Sequence, residues 1–393
     1  MKKEPRLRAL AFVKVSIGLL LVFHFHPEAL AQQAGTQDPT EESGGIIQRY
    51  GRNAANNLES ILIDPETDPL LSNYSPVTDE VLQNPQDSDW LTWRRTYNNQ
   101  GFSNLDQINR ETVSELKLAW HQPVTPGNNM PTPLIHDGVM FLYSAGDVVL
   151  ALDATNGRLL WRYSHNGDAA TSHKFGIALH GNKVLVPTSD LHMVALDAQS
   201  GAVVWDHAID VGENTGYQLR SAPTIAKGQV IQGMAASFVP GGGFIIAIDL
   251  KTGKETWRFN TLARPNEPGG NTWNNIPLEE RQGGSVWNTG AYDPELDLVF
   301  YGVSPTYNTG PLLYPLGIDG VSNDALYTNT TLALRPATGE LVWYYQHVAN
   351  DQFDLDWIFE RTIVELEVGG ELKKVVVTAG KPGLFAALDA ETG

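Results

Sequence analysis

The chain has 393 residues, with 27 Lys and Arg against 45 Asp and Glu and a formal net charge of −18, so it lacks the basic surface that holds a nucleic acid. Hydrophobic residues make up 42% and charged residues only 18%, with 37 Gly and 10 Trp, which excludes wholesale disorder and describes a large, often-turning, β-rich domain. Cys is absent: disulfides, thiolate metal sites and cysteine nucleophiles are excluded, and any metal must be held by oxygen or imidazole.

In chain order, Lys2, Lys3, Arg6 and Arg8 precede an apolar run ending VSIGLLLVF, and Ala29-Leu30-Ala31 follows. This is the order of a cleavable secretory signal over residues 1–31. Lys14 interrupts the apolar run, which is well short of the roughly 20 residues a membrane span needs. Cleavage would therefore leave an exported protein with no span. Residues 32–75, polar and weakly patterned in their first part, read as a flexible leader before a domain over 76–393. SPVTDEVLQNP (Ser75 to Pro85) predicts a short helix capped by Thr78 or Asp79 and stopped by proline, with the sheets beginning near Asp89.

One phrase then returns down the chain: ALDATNGRLLW (Ala151 to Trp161), ALDAQSGAVVW (Ala195 to Trp205), AIDLKTGKETW (Ala247 to Trp257) and ALRPATGELVW (Ala333 to Trp343). A fifth copy opens at Ala387, and Trp120 precedes the first. Trp161 and Trp205 stand 44 residues apart, the length of a four-stranded propeller blade. Each copy reads as strand, tight turn, strand: Asp bonds turn N–H groups, Gly accepts a positive φ, and Trp points inward to pack between blades. The fold class is all-β, a β-propeller of four-stranded blades. The sequence stops inside the fifth copy, whereas a propeller closes its ring to remove edges. A truncated product, a partial sequence or a ring short of blades would each account for that.

Other chemistries are not written here. The ten His show no HExxH spacing, no GxSxG elbow occurs, and GGGF (Gly241 to Phe244) lacks the context of a nucleotide-binding loop.

Between the repeats lie DWLTWRRTYNNQGFSNLDQIN (from Asp89), NEPGGNTW (from Asn266), GGSVWNTGAYDPELDLVFYG (from Gly283), NDQFDLD (from Asn350) and GKPGLFAALDAETG (from Gly380). With this ordered set the chain, from about Pro76 to Gly393, resembles the PQQ-dependent quinoprotein dehydrogenases of the alcohol and methanol type. The resemblance implies an eight-bladed propeller, incomplete here, in the periplasm. It implies that PQQ stacks on Trp287, with Ser285 and Thr188 as polar contacts and Lys381 beside the quinone oxygens. Asp354 is the implied catalytic base, removing the alcohol proton while a hydride passes to the quinone. Asp351 and Asp356 are neighbouring carboxylates that would cap turns or support it.

The family also holds Ca2+ through a Glu, an Asn and the catalytic Asp. Here Phe238 stands at the Glu position and Ser304 at the Asn position, which leaves Asp354, Ser304 and Asn308 as the candidate oxygen ligands. Phe175 stands where the family has a cofactor-binding arginine, and the family's vicinal disulfide is ruled out. The resemblance implies oxidation of an alcohol, sugar-like or other hydroxyl-bearing substrate. With no Cys-x-x-Cys-His for haem, electrons would pass to a separate cytochrome c or quinone-linked acceptor. A noncatalytic propeller scaffold is the alternative: Trp287, Asp354 and Lys381 favour the enzyme, and Phe238, Ser304 and Phe175 the scaffold.

Overall fold

The structure is a computed structural model that describes residues 59–167, 173–213 and 215–393; the expected signal segment and most of the leader lie outside them. The repeated phrase builds the architecture. In the first copy, Asp153 closes the turn by accepting hydrogen bonds from the Thr155 backbone N–H (3.0 Å) and hydroxyl (2.6 Å). Its carbonyl takes the Gly157 N–H at 2.8 Å. These bonds, led by the Thr155 hydroxyl, hold the Asp153 pKa below the usual carboxylate range. Asp197 and Asp249 make the same turn with Ser200 and Thr252.

The strands on either side of each turn are the third and fourth of an antiparallel sheet. Ala151 pairs with Trp161, Ala195 with Trp205, Ala247 with Trp257 and Ala333 with Trp343, each followed at once by a bulge. Four sheets of four strands, at residues 134–164, 178–208, 224–260 and 291–346, and a three-stranded sheet at 362–389 have their strands in chain order. The first strands of the later sheets, Ala178–His180, Thr224–Ala226, Ala291–Asp293 and Thr362–Val368, lie against one another in succession. This is the inner wall of a propeller.

The repeated tryptophans join neighbouring blades. Trp161 donates its indole N–H to Ala198 O at 2.9 Å and Trp343 to Ala390 O at 3.1 Å, each in the turn of the next sheet. Trp161, Trp257 and Trp343 are buried, as expected. Trp205 is only half-buried, since its strand presents Val203 and Val204 to solvent.

The N-terminal part of the described chain is packed rather than free. Ile61 bridges to Arg162 on the first sheet, Asp68 meets Arg158 at 2.7 Å, and Leu71 is fully buried. Residues 59–75, expected to be the end of a leader, therefore pack with the first sheet. The expected helix spans Asp79–Gln83, and Thr78 is its cap, accepting from the Val81 N–H at 3.3 Å. Among the described residues, no helix is long and apolar enough to cross a membrane.

Candidate functional site

Antiparallel alternation sorts the connections. The turns carrying the repeated phrase fall on one face of the ring. The loops after each second and fourth strand fall on the other. That second face gathers loop residues 165–167, 173–177, 188–191, 209–213, 215–223, 234–243, 261–290, 303–329, 347–361 and 380–384, and with them every site residue expected from sequence.

Trp287 lies outside the repeat register and is half-buried. It packs on Phe175 at 6.1 Å between ring centroids and meets Phe359 edge-on at 5.8 Å, while Phe175 leans on Trp93 at 5.4 Å. Phe359 and Lys381 in turn line one open depression of about 400 Å3. Trp287 and Lys381 are thus linked through a shared neighbour.

Lys381 is the hinge of the polar half. Its ammonium lies 2.8 Å from Asp354 Oδ2 and 2.6 Å from Asp356 Oδ2. Burial works against that ammonium, but the bonds and charges of Asp354 and Asp356 outweigh it and hold its pKa above the ordinary lysine value. Asp351 is buried and accepts from Asn329 Nδ2 (2.7 Å) and from the backbone N–H groups of Phe353 (2.8 Å) and Leu355 (2.6 Å). It is the turn-shaping carboxylate. Asp354 stands on that turn at φ +58, with its side chain 53% exposed. Asp356 is pushed up in pKa, chiefly by burial, and its Oδ1 is buried with no hydrogen-bond partner among the described residues.

Ser285 and Ser304 are buried neighbours on the same face. Ser285 Oγ accepts from the Ala236 N–H at 2.8 Å and lies 3.2 Å from Ser237 Oγ; the Ser304 N–H donates to Ser285 O at 2.9 Å. The Ser304 hydroxyl is buried and has no partner among the described residues, a group whose burial is costly unless a ligand satisfies it. Tyr307, which sequence reasoning missed, sits between the clusters. Burial, with the charges of Asp356 and Asp354, pushes its pKa up to about 12. Nothing in YGVSPTYNTG marks Tyr307 without the loop order that brings it to this face.

Two expectations need correction. Thr188 is not offered to a ligand: it is fully buried, donates to Asp190 Oδ1 at 2.5 Å and accepts from the His192 N–H at 3.0 Å, closing its own turn. The metal set Asp354, Ser304 and Asn308 is also not assembled. Phe238 brings no oxygen, is 71% exposed and packs on Tyr307 at 4.9 Å, and Lys381 already neutralises Asp354. Among the described residues no group of three His, Asp or Glu could hold an ion. The residues present do not fit Ca2+, whereas the aromatic platform, the unsatisfied Ser304 hydroxyl and the flanking cation fit a planar, oxygen-rich quinone. A larger groove of about 620 Å3, lined by Arg258, Tyr327, Val342 and Tyr344, holds none of these residues.

The propeller architecture agrees with the comparisons. Residues 90–393 match the family of the PQQ glucose/ethanol/alcohol dehydrogenase β-propeller domain, and the chain belongs to that family. It is 37% identical over 333 residues to the dehydrogenase subunit of a quinone alcohol dehydrogenase of Komagataeibacter europaeus, covering 77% of this chain and 44% of that one. It is 35% identical to the quinohemoprotein alcohol dehydrogenase ADH IIB of Pseudomonas putida, covering 78% and 46%. Among solved structures, the quinohemoprotein alcohol dehydrogenase ADHIIG of Pseudomonas putida superposes with a TM-score of 0.72 at 30% identity, covering 81% of this chain and 49% of that one. A europium-containing methanol dehydrogenase superposes at 0.67 and 26% identity, covering 80% and 59%. The chain spans about half the length of the curated relatives it matches.

Proposed function

We propose that this protein is an exported, periplasmic PQQ-dependent dehydrogenase that oxidises an alcohol or a sugar-like hydroxyl and passes electrons to a separate cytochrome c or quinone-linked acceptor. The observation that carries the reading is the Lys381 ammonium held between Asp354 and Asp356 on the loop face that also bears the Trp287 platform.

In this reading PQQ lies on Trp287, and when bound it supplies an electrophilic carbonyl carbon that accepts hydride. The remaining work belongs to the chain. Trp287, braced by Phe175 and Phe359, orients the ring by stacking. Ser304 offers its unpaired hydroxyl as a hydrogen-bond donor. Asp354 uses Oδ2 for Lys381, and its Oδ1 has no hydrogen bond among the described residues. That oxygen accepts the substrate hydroxyl proton as the carbon gives up hydride. Lys381 holds the carboxylate in place and keeps positive charge beside the oxygens that become anionic. No step is assigned to a calcium ion.

The test is reconstitution of the purified protein with PQQ, followed by a dye-linked acceptor assay over alcohols and sugars. Turnover dependent on PQQ supports the enzyme; absence of PQQ binding by absorbance and calorimetry leaves the scaffold reading in its place.

A further inference from the structure

Phe175 removes a guanidinium from the site expected for it, yet another guanidinium stands directly across the backbone. The Phe175 N–H donates to Arg220 O at 2.8 Å, so residues from two successive loops are locked side by side at the rim that carries Trp287. Arg220 is half-buried. Its side chain makes one hydrogen bond among the described residues, Nε to Gln218 Oε1 at 2.7 Å, and no ion pair. Burial pulls its pKa down while the nearby Tyr307 opposes the shift, and Tyr307 is itself under the charge of Asp356 and Asp354. Through Phe175, which packs on Trp287, the Arg220 backbone is fixed beside the stacking platform.

The other cations around this face already have protein acceptors. Lys381 is shared by two carboxylates, Arg94 pairs with Glu360 at 2.6 Å, and Arg361 is enclosed and bonded to Thr331. Lys174, beside Phe175, is buried with its ammonium on Leu219 O at 2.7 Å. Arg264, also half-buried and without an ion pair, gives both terminal nitrogens to Gly241 O and Asn260 Oδ1, so among the described guanidiniums of this face Arg220 is the partly buried one whose two terminal nitrogens make no hydrogen bond, an arrangement suited to a carboxylate ligand.

We propose that Arg220 binds a carboxylate of the tricarboxylic quinone, so that the acid-recognising guanidinium has moved from position 175 to the residue paired with it. This assignment rests on the PQQ reading above. Such a contact requires no change in the stacking platform: Phe175 packs on Trp287 while Arg220 reaches the acidic edge.

The experiment is calorimetric titration of wild type, Arg220→Leu and Arg220→Lys with PQQ and with its trimethyl ester, which keeps the ring and removes the negative charges. Arg220→Leu should weaken PQQ binding by about 10- to 100-fold, the weight of one charge-assisted bond, and leave the ester unchanged. Arg220→Lys should recover part of the loss, and unchanged circular dichroism shows that each variant folds. If Arg220→Leu weakens acid and ester equally, or neither, the assignment is overturned. A wild type that binds neither compound overturns the quinone reading itself, and this assignment with it.

Discussion

Gly201 lies flat on the indole of Trp161: a Cβ built at this glycine would stand 2.8 Å from the ring, and the backbone there has φ +77. The turn of one blade is thus seated on the tryptophan of the blade before it, and Gly157 sits on Trp120 in the same way. Gly201→Ala should lose about 2–4 kcal/mol, combining left-handed strain with overpacking. Gly212, also at positive φ but with nothing within 4 Å, supplies the comparison. Its alanine variant should lose only about 1 kcal/mol of strain. Urea unfolding measures both, and equal losses would mean that the ring contact carries no weight.

The repeat was legible because everything that makes it is local. Asp153, Thr155 and Gly157 meet within five residues, and the tryptophan partner is fixed by the strand pairing that follows. A cap at Thr78 or Asp79 was legible for the same reason, and the structure selects Thr78. The site was legible only in part. Trp287, Asp354 and Lys381 stand in motifs with few alternatives, but Thr188 sits in a turn where a hydroxyl serves its own backbone as readily as a ligand. Arg220 and Tyr307 were invisible because no period links them to their neighbours: Arg220 meets Phe175 through one backbone bond between distant loops. Asn308 and Ser304 share a short motif, yet the fold spends the Asn308 N–H on Glu280 and leaves the Ser304 hydroxyl unpaired.

Lys174 gives the protein a pH signature. Burial pulls its pKa from the ordinary lysine value of 10.5 down to about 8. Below about 8 the ammonium is charged in both states, so the cost of burying it is fully present. Between there and 10.5 the unfolded chain binds the proton and the folded one does not, so this group makes stability rise with pH. Lys174→Met removes the effect. Urea unfolding at intervals from pH 7 to 10.5 should show wild type gaining on the variant as pH rises; parallel curves would refute the shift.

Asp354 and Trp287 should fail in different ways. Asp354→Asn keeps the shape but cannot accept a proton, and general-base catalysis typically contributes about 10²- to 10⁴-fold in rate. Turnover should fall by that order while PQQ affinity changes little. Trp287→Ala removes a stacking surface that acts before any chemistry, so the loss should appear mainly in cofactor retention. Calorimetry and a saturating-PQQ assay separate the two. An Asp354→Asn enzyme with ordinary kcat would remove this residue from the mechanism.

Lys381 and metal dependence form one argument. Its ammonium occupies the space between Asp354 and Asp356, where a hard cation would otherwise find two carboxylates. Phe238 contributes no oxygen there. Wild type should therefore bind Ca2+ no more tightly than about 1 mM, and a chelator should change PQQ affinity by less than about threefold. Lys381→Ala leaves the two carboxylates without their counter-charge, with Asp356 already disfavouring ionisation through burial. That variant should gain measurable Ca2+ affinity, because a divalent ion relieves the repulsion the ammonium had neutralised. Calcium titrations of the two proteins by calorimetry, at one pH and ionic strength, decide the matter. Micromolar Ca2+ binding by wild type would show that the cation displaces Lys381 and that the site is a metal centre after all.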